Sequence, residues 1–197
     1  MTREALTFRN ATPADASDLA ILFDAASRRI VAWAWSAMAA PSQSWFEVGR
    51  DRIRNVPESP SHHSRWQVAE LDGATIGAFF GFSLPDPYEV LDIAELDPVF
   101  LPLVRLEEVA KGSWLLQAVA VFPEWRGQGH GRTLIKGACD AARAAGHARI
   151  VLQVESPNTG AICAYHACGF AEWTRLPYVP FPGSDDSGDW VLMVRDL

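Results

Sequence analysis

Residues 119–131 read Val119-Ala120-Val121-Phe122-Pro123-Glu124-Trp125-Arg126-Gly127-Gln128-Gly129-His130-Gly131, an apolar run that breaks at a proline into a glycine-rich loop. Glycines allow successive backbone N–H groups to converge on an anion, because no side chain stands in the way. A helix that begins near Gly129 adds unpaired N–H groups and the positive end of its dipole. Arg126 and Arg132 bracket the loop with guanidinium groups suited to phosphate oxygens. The stretch therefore predicts a loop that binds a phosphorylated ligand.

Two common phosphate-binding motifs are disfavoured by the spacing of this loop. A nucleotide P-loop ends in Gly-Lys-Ser/Thr, whereas here the chain continues Gly129-His130-Gly131-Arg132-Thr133. A dinucleotide fingerprint needs Gly-x-Gly-x-x-Gly near the start of a βαβ unit, and this loop has Gly-x-Gly-x-Gly. ATP and NAD are therefore poor candidates for the ligand.

What remains is Arg-x-x-Gly-x-Gly, at Arg126, Gly129 and Gly131, after an apolar strand. This pattern closely resembles the acetyl-CoA loop of the GNAT family of N-acetyltransferases. A downstream stretch strengthens the resemblance by matching the family's second motif, Asn-x-x-Ala-x-x-x-Tyr-x-x-x-Gly-Phe, at Asn158, Ala161, Tyr165, Gly169 and Phe170. The resemblance is strongest over residues 113–173, and it carries two motifs in the family's order and spacing.

The resemblance implies a mixed α/β fold, with a mostly antiparallel central sheet and helices on both faces. In this family the fourth and fifth strands splay apart around the cofactor, and here they correspond to Ser113–Phe122 and Ile150–Val154. The first of these is a near-continuous apolar run, which is typical of a strand buried on both faces. We therefore expect it to lie near the centre of the sheet.

The remaining elements are predicted from local patterns. Thr12-Pro13 starts a helix, Asp72-Gly73 turns a hairpin, and Gly146 ends the helix that follows the loop. That last helix should turn Leu134, Ala138, Ala141, Ala142 and Ala145 inward. The other expected elements are a strand over 6–9, a shorter helical region around 33–48, hairpin strands over 66–71 and 74–84, a helix near 99–110, a helix over 158–169, and strands from 170 and over 190–194. Gly77 and Gly81 in the second hairpin strand suggest a bulge or a close backbone approach.

Composition fits one domain over residues 1–197, with an insertion at about 85–112 that is long enough to act as a lid.

The start of the chain lacks an apolar signal core, and no run reaches the roughly 18 apolar residues of a membrane helix, so we expect a cytoplasmic protein without a membrane partner. A net charge of −7 argues against nucleic acid. The three cysteines cannot all pair within the chain and lack zinc spacing.

The resemblance implies acetyl-CoA as co-substrate and no metal. Backbone groups of Val119 and Val121, left unpaired by the splay, are expected to bond its pantetheine amides. The expected pyrophosphate cradle comprises Arg126, Gly127, Gln128, Gly129, His130, Gly131 and Arg132. Two roles can each explain the asparagine at position 158, and both can hold together: it caps its helix, or it contacts the cofactor.

Transfer of an acyl group from a thioester to an amine needs a deprotonated amine, a stabilised oxyanion and a proton for the leaving thiolate. Backbone N–H near Val119 would meet the oxyanion, and Tyr165 is the family-matched acid, with core packing as its alternative. The strand positions where many family members carry a glutamate hold Gln117 and Gln153, which cannot take a proton. Glu155 is the nearest carboxylate in sequence; Asp92, Glu107, Glu108 and a water relay are the alternatives.

We therefore expect an N-acetyltransferase that acts on a primary amine by direct attack in a ternary complex. The acceptor is a small molecule or a peptide amine, and homodimerisation is left open. The alternative is a non-catalytic acyl-CoA-binding or sensing module, which the missing strand glutamates suggest. Trp33 and Trp35 fall where this family builds its acceptor pocket, although ordinary core packing is the favoured interpretation. The adjacent His62 and His63 are expected to be solvated.

Overall fold

The computed structural model describes residues 6–89, 96–184 and 188–197. The strands are β1 (Thr7–Asn10), β2 (Trp66–Leu71), β3 (Ala74–Ser83), β4 (Trp114–Val121), β5 (Arg149–Glu155), β6 (Ala171–Pro177) and β7 (Asp189–Asp196). The α-helices are α1 (Ala16–Ala26), α2 (Ile30–Ala37), α3 (Trp45–Asn55), α4 (Leu101–Val109), α5 (His130–Ala144) and α6 (Thr159–Ala167). Every element predicted from local patterns is present, and the helical region expected around 33–48 is two helices, α2 and α3.

The seven strands found among the described residues form one sheet in the order β1-β2-β3-β4-β5-β7-β6, so β4 is central, as its apolar sequence predicts. The pairs β1–β2, β2–β3, β5–β7 and β6–β7 are antiparallel, whereas β4 and β5 run parallel. The ladder between β4 and β5 joins only Trp114 with Ile150 and Leu115 with Val151, at the start of both strands. The mixed, mostly antiparallel class with a splayed fourth and fifth strand is confirmed.

The chain groups into two compact units. Unit 1 contains the described residues of Met1–Phe80 together with Ala118–Leu134, and unit 2 contains those of Gly81–Gln117 together with Ile135–Leu197. Assignment of the whole chain to one domain stays a prediction. Among the described residues, no helix is both long enough and apolar enough to cross a membrane.

Unit 1 is built around an aromatic core between its helices and the β2–β3 hairpin. The ring of Phe23 on α1 meets Trp35, Trp66 and Phe80 edge-on at centroid distances of 5.8, 5.7 and 5.2 Å. The hairpin turns at Asp72 and Gly73, whose φ angles of 53° and 77° lie in the left-handed region that this tight turn requires. The Asp-Gly signal therefore predicts the turn correctly.

An ion-pair network ties the first strand of unit 1 to the entry of α1. The guanidinium of Arg9 contacts Asp15 Oδ1 and Glu70 Oε1, both at 2.8 Å. Asp15 also accepts hydrogen bonds from the Thr12 backbone N–H and hydroxyl, at 2.7 and 2.8 Å. These partners, Arg9 foremost, lower the pKa of Asp15 to about 2.

The predicted close approach in β3 is confirmed at both glycines. In unit 1, a Cβ on Gly77 would lie 2.4 Å from the carbonyl oxygen of Ala120 on β4. In unit 2, a Cβ on Gly81 would lie 2.3 Å from the carbonyl oxygen of Leu115. Only glycine fits at such contacts without a shift of the neighbouring strand.

Unit 2 contains β5, β7 and β6, with α4 packed on β6 and β7. Gln153 of β5 donates from Nε2 to the carbonyl oxygen of Leu103 on α4, at 2.7 Å. Of the positions predicted to face inward on α5, Leu134, Ala138 and Ala142 are buried and Ala141 is half-buried. Ala145 is exposed because α5 ends at Ala144, one residue before it.

Candidate active site

The glycine-rich loop lies in unit 1, between the end of β4 and the start of α5. A 3-10 turn over Pro123–Trp125 leads into it. Gly127 and Gly129 have φ angles of 75° and 90°, which side chains other than glycine rarely adopt. Helix α5 then begins, with the Arg132 N–H donating to the Gly129 carbonyl at 3.1 Å.

A row of backbone N–H groups in this loop has no hydrogen-bond partner among the described residues. The N–H groups of residues 127–131 donate to no acceptor within the described part of the chain. They lie in sequence at the N-terminal end of a 15-residue helix, where the dipole favours negative charge. Residues 126–129 are exposed, so an anion can reach the row from solvent. This arrangement can bind a phosphate group.

Arg126 has a role that the sequence did not reveal. Its Nε donates to the carbonyl oxygen of Val121 at 2.9 Å, which fastens the loop to the last residue of β4. The Val121 carbonyl is therefore not unpaired, because it accepts this side chain, while the contact of the Val121 backbone with the cofactor stays a prediction. Arg126 as a whole residue is exposed.

His130 is the first residue of α5, and its Nε2 is buried without a hydrogen-bond partner among the described residues. The Trp125 ring stands edge-on to the imidazole, at a centroid distance of 6.3 Å. Gln128 donates from Nε2 to the Glu124 carbonyl at 3.3 Å, which closes the loop on itself. The side chains of the loop thus shape the backbone and leave its N–H row open.

Tyr165 lies in unit 2, on α6. Its ring packs against Phe170 at a centroid distance of 5.9 Å, and burial raises its pKa to about 12. The hydroxyl makes no hydrogen bond to any described residue. A phenol in this state is protonated at neutral pH and has its donor available for a ligand.

Two other predicted site residues of unit 2 lie just before the start of α6. Asn158 accepts the Ala161 N–H on its Oδ1 at 3.3 Å, so it caps the helix, and its cofactor contact stays a prediction. Glu155 is the last residue of β5 and is 8% exposed. Its backbone carbonyl accepts the Asn158 N–H at 2.9 Å.

A model of the Acetyltransferase (GNAT) family matches residues 28–170, which is more than half of the chain. This chain belongs to the GNAT family. The resemblance inferred from Arg126, Gly129, Gly131 and the second motif around Tyr165 is confirmed, because both motifs lie inside the matched range.

Curated GNAT relatives match over a shorter stretch. The [Ribosomal protein bS18]-alanine N-acetyltransferase of Escherichia coli K12 is 36% identical over 80 residues, covering 40% of this chain and 53% of that protein. The streptothricin acetyltransferase of Streptomyces lavendulae is 35% identical over 77 residues, covering 39% of this chain and 40% of that protein. The chain thus spans about half, or less, of the curated relatives it matches.

A solved structure shares the fold over nearly the whole chain. The yncA protein of Salmonella typhimurium, solved with its cofactor acetyl-CoA, superposes with a TM-score of 0.58 at 20% identity. The superposition covers 98% of this chain and 94% of that one. At this identity the likeness establishes the fold.

Two residues that sequence reasoning did not bring together meet in unit 2 of this GNAT chain. Tyr88, which precedes α4, donates its hydroxyl to Oε2 of Glu107 on α4. Burial raises the pKa of Glu107, and burial together with this carboxylate raises the pKa of Tyr88. The two are 19 residues apart, and no local pattern signals the contact. Asp92, another carboxylate considered from sequence, lies outside the described residues.

The structure also describes one of the predicted pocket tryptophans, the three cysteines and the side chains that could bind a metal. Trp35 is 5% exposed and stacks on Trp45 at 6.3 Å, which supports core packing for this residue. All three cysteines are free, with Cys139 and Cys168 buried. Within the described residues, no group of three or more His, Cys, Asp and Glu side chains is arranged to hold a metal ion.

Proposed function

We propose that this chain is an acetyl-CoA-dependent N-acetyltransferase that transfers the acetyl group to a primary amine by direct attack in a ternary complex. The unpaired N–H row of residues 127–131 is the observation that carries the proposal. It presents donors at a helix start to a pyrophosphate, as the cofactor requires. Membership of the GNAT family supports the same ligand.

Acetyl-CoA, when bound, supplies an acetyl thioester. The N–H row, with Arg126 and Arg132, holds its phosphates; backbone groups of Val119 and Val121, with Asn158, hold the rest of the cofactor. Backbone N–H near Val119 stabilises the oxyanion that forms when the amine attacks the thioester carbonyl. Tyr165 is the hydrogen-bond donor to the departing thiolate, a role that its protonated phenol suits.

A proton acceptor is needed because an aliphatic amine, with a pKa of about 10.4 by analogy with lysine, is mostly protonated at neutral pH. Glu155 is the acceptor predicted from sequence. The relatives named above act on an alanine of a ribosomal protein and on streptothricin. We propose an acceptor of the same broad class, a peptide or antibiotic amine. A non-catalytic acyl-CoA sensor is not favoured, since the relatives are transferases.

Turnover tests the proposal. Purified protein is mixed with acetyl-CoA and either a synthetic peptide with an N-terminal alanine or streptothricin, and free CoA thiol is measured together with the mass of the acceptor. We expect thiol release that depends on the amine, with a gain of one acetyl group on it. Binding of acetyl-CoA without acetylation of either amine, or of a wider panel of primary amines, contradicts the proposal and favours a sensing module.

A further inference from the structure

Helix α4 covers the face of β5 that bears Gln153, since Gln153 donates to the Leu103 carbonyl at 2.7 Å. Side chains two residues apart on a strand point to the same face, so Glu155 lies on this side of β5 as well. Gln153 cannot accept a proton from an amine, and its amide is engaged in holding the helix. A proton acceptor on this side of unit 2 must therefore come from another residue.

Glu107 follows Leu103 by one helical turn, so the two residues lie on the same face of α4. The Glu107 carboxylate is half-buried and accepts the Tyr88 hydroxyl on Oε2. Its other oxygen, Oε1, accepts no hydrogen bond from the described residues. One oxygen is thus held in place while the second is available to an incoming N–H donor.

The electrostatic setting suits a base. Burial raises the pKa of Glu107, which strengthens the carboxylate as a proton acceptor, and the hydrogen bond from Tyr88 works against that rise. Burial and the neighbouring carboxylate raise the pKa of Tyr88, so its phenol keeps its proton and stays a donor. Tyr88 can therefore orient Glu107 without competing for the amine's proton.

Charged side chains on α4, and on the strand β6 that packs against α4, form ion pairs with residues other than Glu107. Arg105 and Glu108 on α4 contact each other at 3.0 Å. Arg175 of β6 is bound to Glu172 at 2.6 Å and to Asp189 of β7 at 3.3 Å. In the part of the chain that the structure describes, Glu107 itself forms no ion pair. Its negative charge is thus not cancelled by a cation among the described residues.

We propose that Glu107 is the proton acceptor for the substrate ammonium and that Tyr88 is its positioning residue, an inference that rests on the proposed acetyl transfer. The ammonium gives one proton to Oε1 of Glu107 and becomes a free amine. The amine nitrogen bonds to the thioester carbonyl carbon, and the carbon–sulfur bond breaks. The departing thiolate takes the second nitrogen proton, directly or by way of Tyr165, and Glu107 releases its own proton to solvent.

The test compares kcat/KM across pH for the wild-type protein, Glu107→Gln, Tyr88→Phe and Glu155→Gln. The acceptor is the amine, from the alanine peptide and streptothricin panel, that the wild-type protein acetylates fastest. Asp140→Asn is the control for removal of an exposed, ion-paired carboxylate, since Asp140 contacts Arg143 on α5 at 2.9 Å. Affinity for acetyl-CoA is measured separately for every variant.

We expect Glu107→Gln to lower kcat/KM by about 100-fold near neutral pH, the lower end of what a general base contributes. The loss should shrink as the pH approaches the pKa of the amine, because free amine then forms without help. Tyr88→Phe should move the acidic limb of the profile to higher pH, since loss of the hydrogen bond raises the pKa of Glu107. Acetyl-CoA affinity should be unchanged in both, and Asp140→Asn should match the wild type.

Three results overturn the inference while the proposed transfer stands. They are a Glu107→Gln profile within twofold of the wild type, a loss of equal size at every pH, and a pH-dependent loss confined to Glu155→Gln. A wild-type protein that acetylates no amine contradicts the proposed function, and the inference falls with it.

Discussion

At the scale of single residues, Gly131 is expected to be needed for cofactor binding but not for folding. It is the second residue of α5, its φ is not in the left-handed region, and a Cβ there would meet no atom within 4 Å. Gly160 occupies the same position in α6, with the same open space. Glycine at position 131 is therefore not required by the fold.

We predict opposite effects of Gly131→Ala on stability and binding. Alanine in a helix should stabilise the free protein by about 0.5–1 kcal/mol. The added methyl group should push a phosphate away from the N–H row and weaken acetyl-CoA binding about tenfold, or roughly 1.4 kcal/mol. Calorimetric titration and thermal unfolding check both signs. Gly160→Ala should show only the stabilisation. Unchanged acetyl-CoA affinity in Gly131→Ala would mean that this loop does not bind the cofactor.

Tyr165→Phe tests the predicted role of Tyr165 as the proton donor to the thiolate. Because the hydroxyl bonds to no described residue, its loss should leave the unfolding midpoint and acetyl-CoA affinity near wild type. Loss of the donor should lower kcat by about 100-fold or more. The measurement is kcat from steady-state kinetics on an amine that the wild-type protein acetylates. An unchanged kcat would mean that Tyr165 only packs against Phe170.

At the scale of elements, Gly77 shows what the centre of the sheet demands. Its Cβ would lie 2.4 Å from the Ala120 carbonyl oxygen, a backbone atom that cannot rotate away. We predict that Gly77→Ala destabilises the protein by about 1–3 kcal/mol, the usual range for overpacking. Urea unfolding measures this, and Gly131→Ala, with the opposite expected sign, is the control. A stability equal to wild type would mean that β3 and β4 are not this close.

Element prediction succeeded where the signal is local. The Asp72-Gly73 turn, the apolar run of β4 and the Asn158 cap each depend on a few neighbouring residues, and each appears as expected. The division between α2 and α3 was missed, although Pro41 and the Ser44–Glu47 capping box mark it. The Tyr88–Glu107 contact and the bond from Arg126 to Val121 could not be read from sequence, because they depend on how the backbone folds.

At the scale of the whole molecule, acid stability should depend on Asp15. Its pKa is lowered from 3.8 to about 2 in the folded protein, so its contribution is complete above pH 4 and is lost as the pH falls through about 2. That shift is worth about 2 kcal/mol. Asp15→Asn should lower the free energy of unfolding by about this amount at neutral pH.

The same comparison at low pH provides the control for this prediction. The difference between Asp15→Asn and wild type should shrink as the pH falls from about 4 to 2, because the wild-type carboxyl takes up its proton first in the unfolded chain and then, near pH 2, in the folded protein. Asp140→Asn removes an exposed partner of Arg143 and should change stability by at most about 1 kcal/mol. A pH-independent deficit in Asp15→Asn would assign its role to geometry at the start of α1 and not to charge.

The most direct test of the whole account is thermal unfolding of the wild-type protein with acetyl-CoA, CoA, NAD and ATP in parallel. A ligand at 100 times its dissociation constant stabilises a protein by about 2.7 kcal/mol, enough to raise the midpoint by several degrees. We predict a rise with acetyl-CoA and CoA and none with NAD or ATP. No rise with the CoA compounds, or a larger one with NAD or ATP, would contradict the assignment of the 127–131 row to coenzyme A.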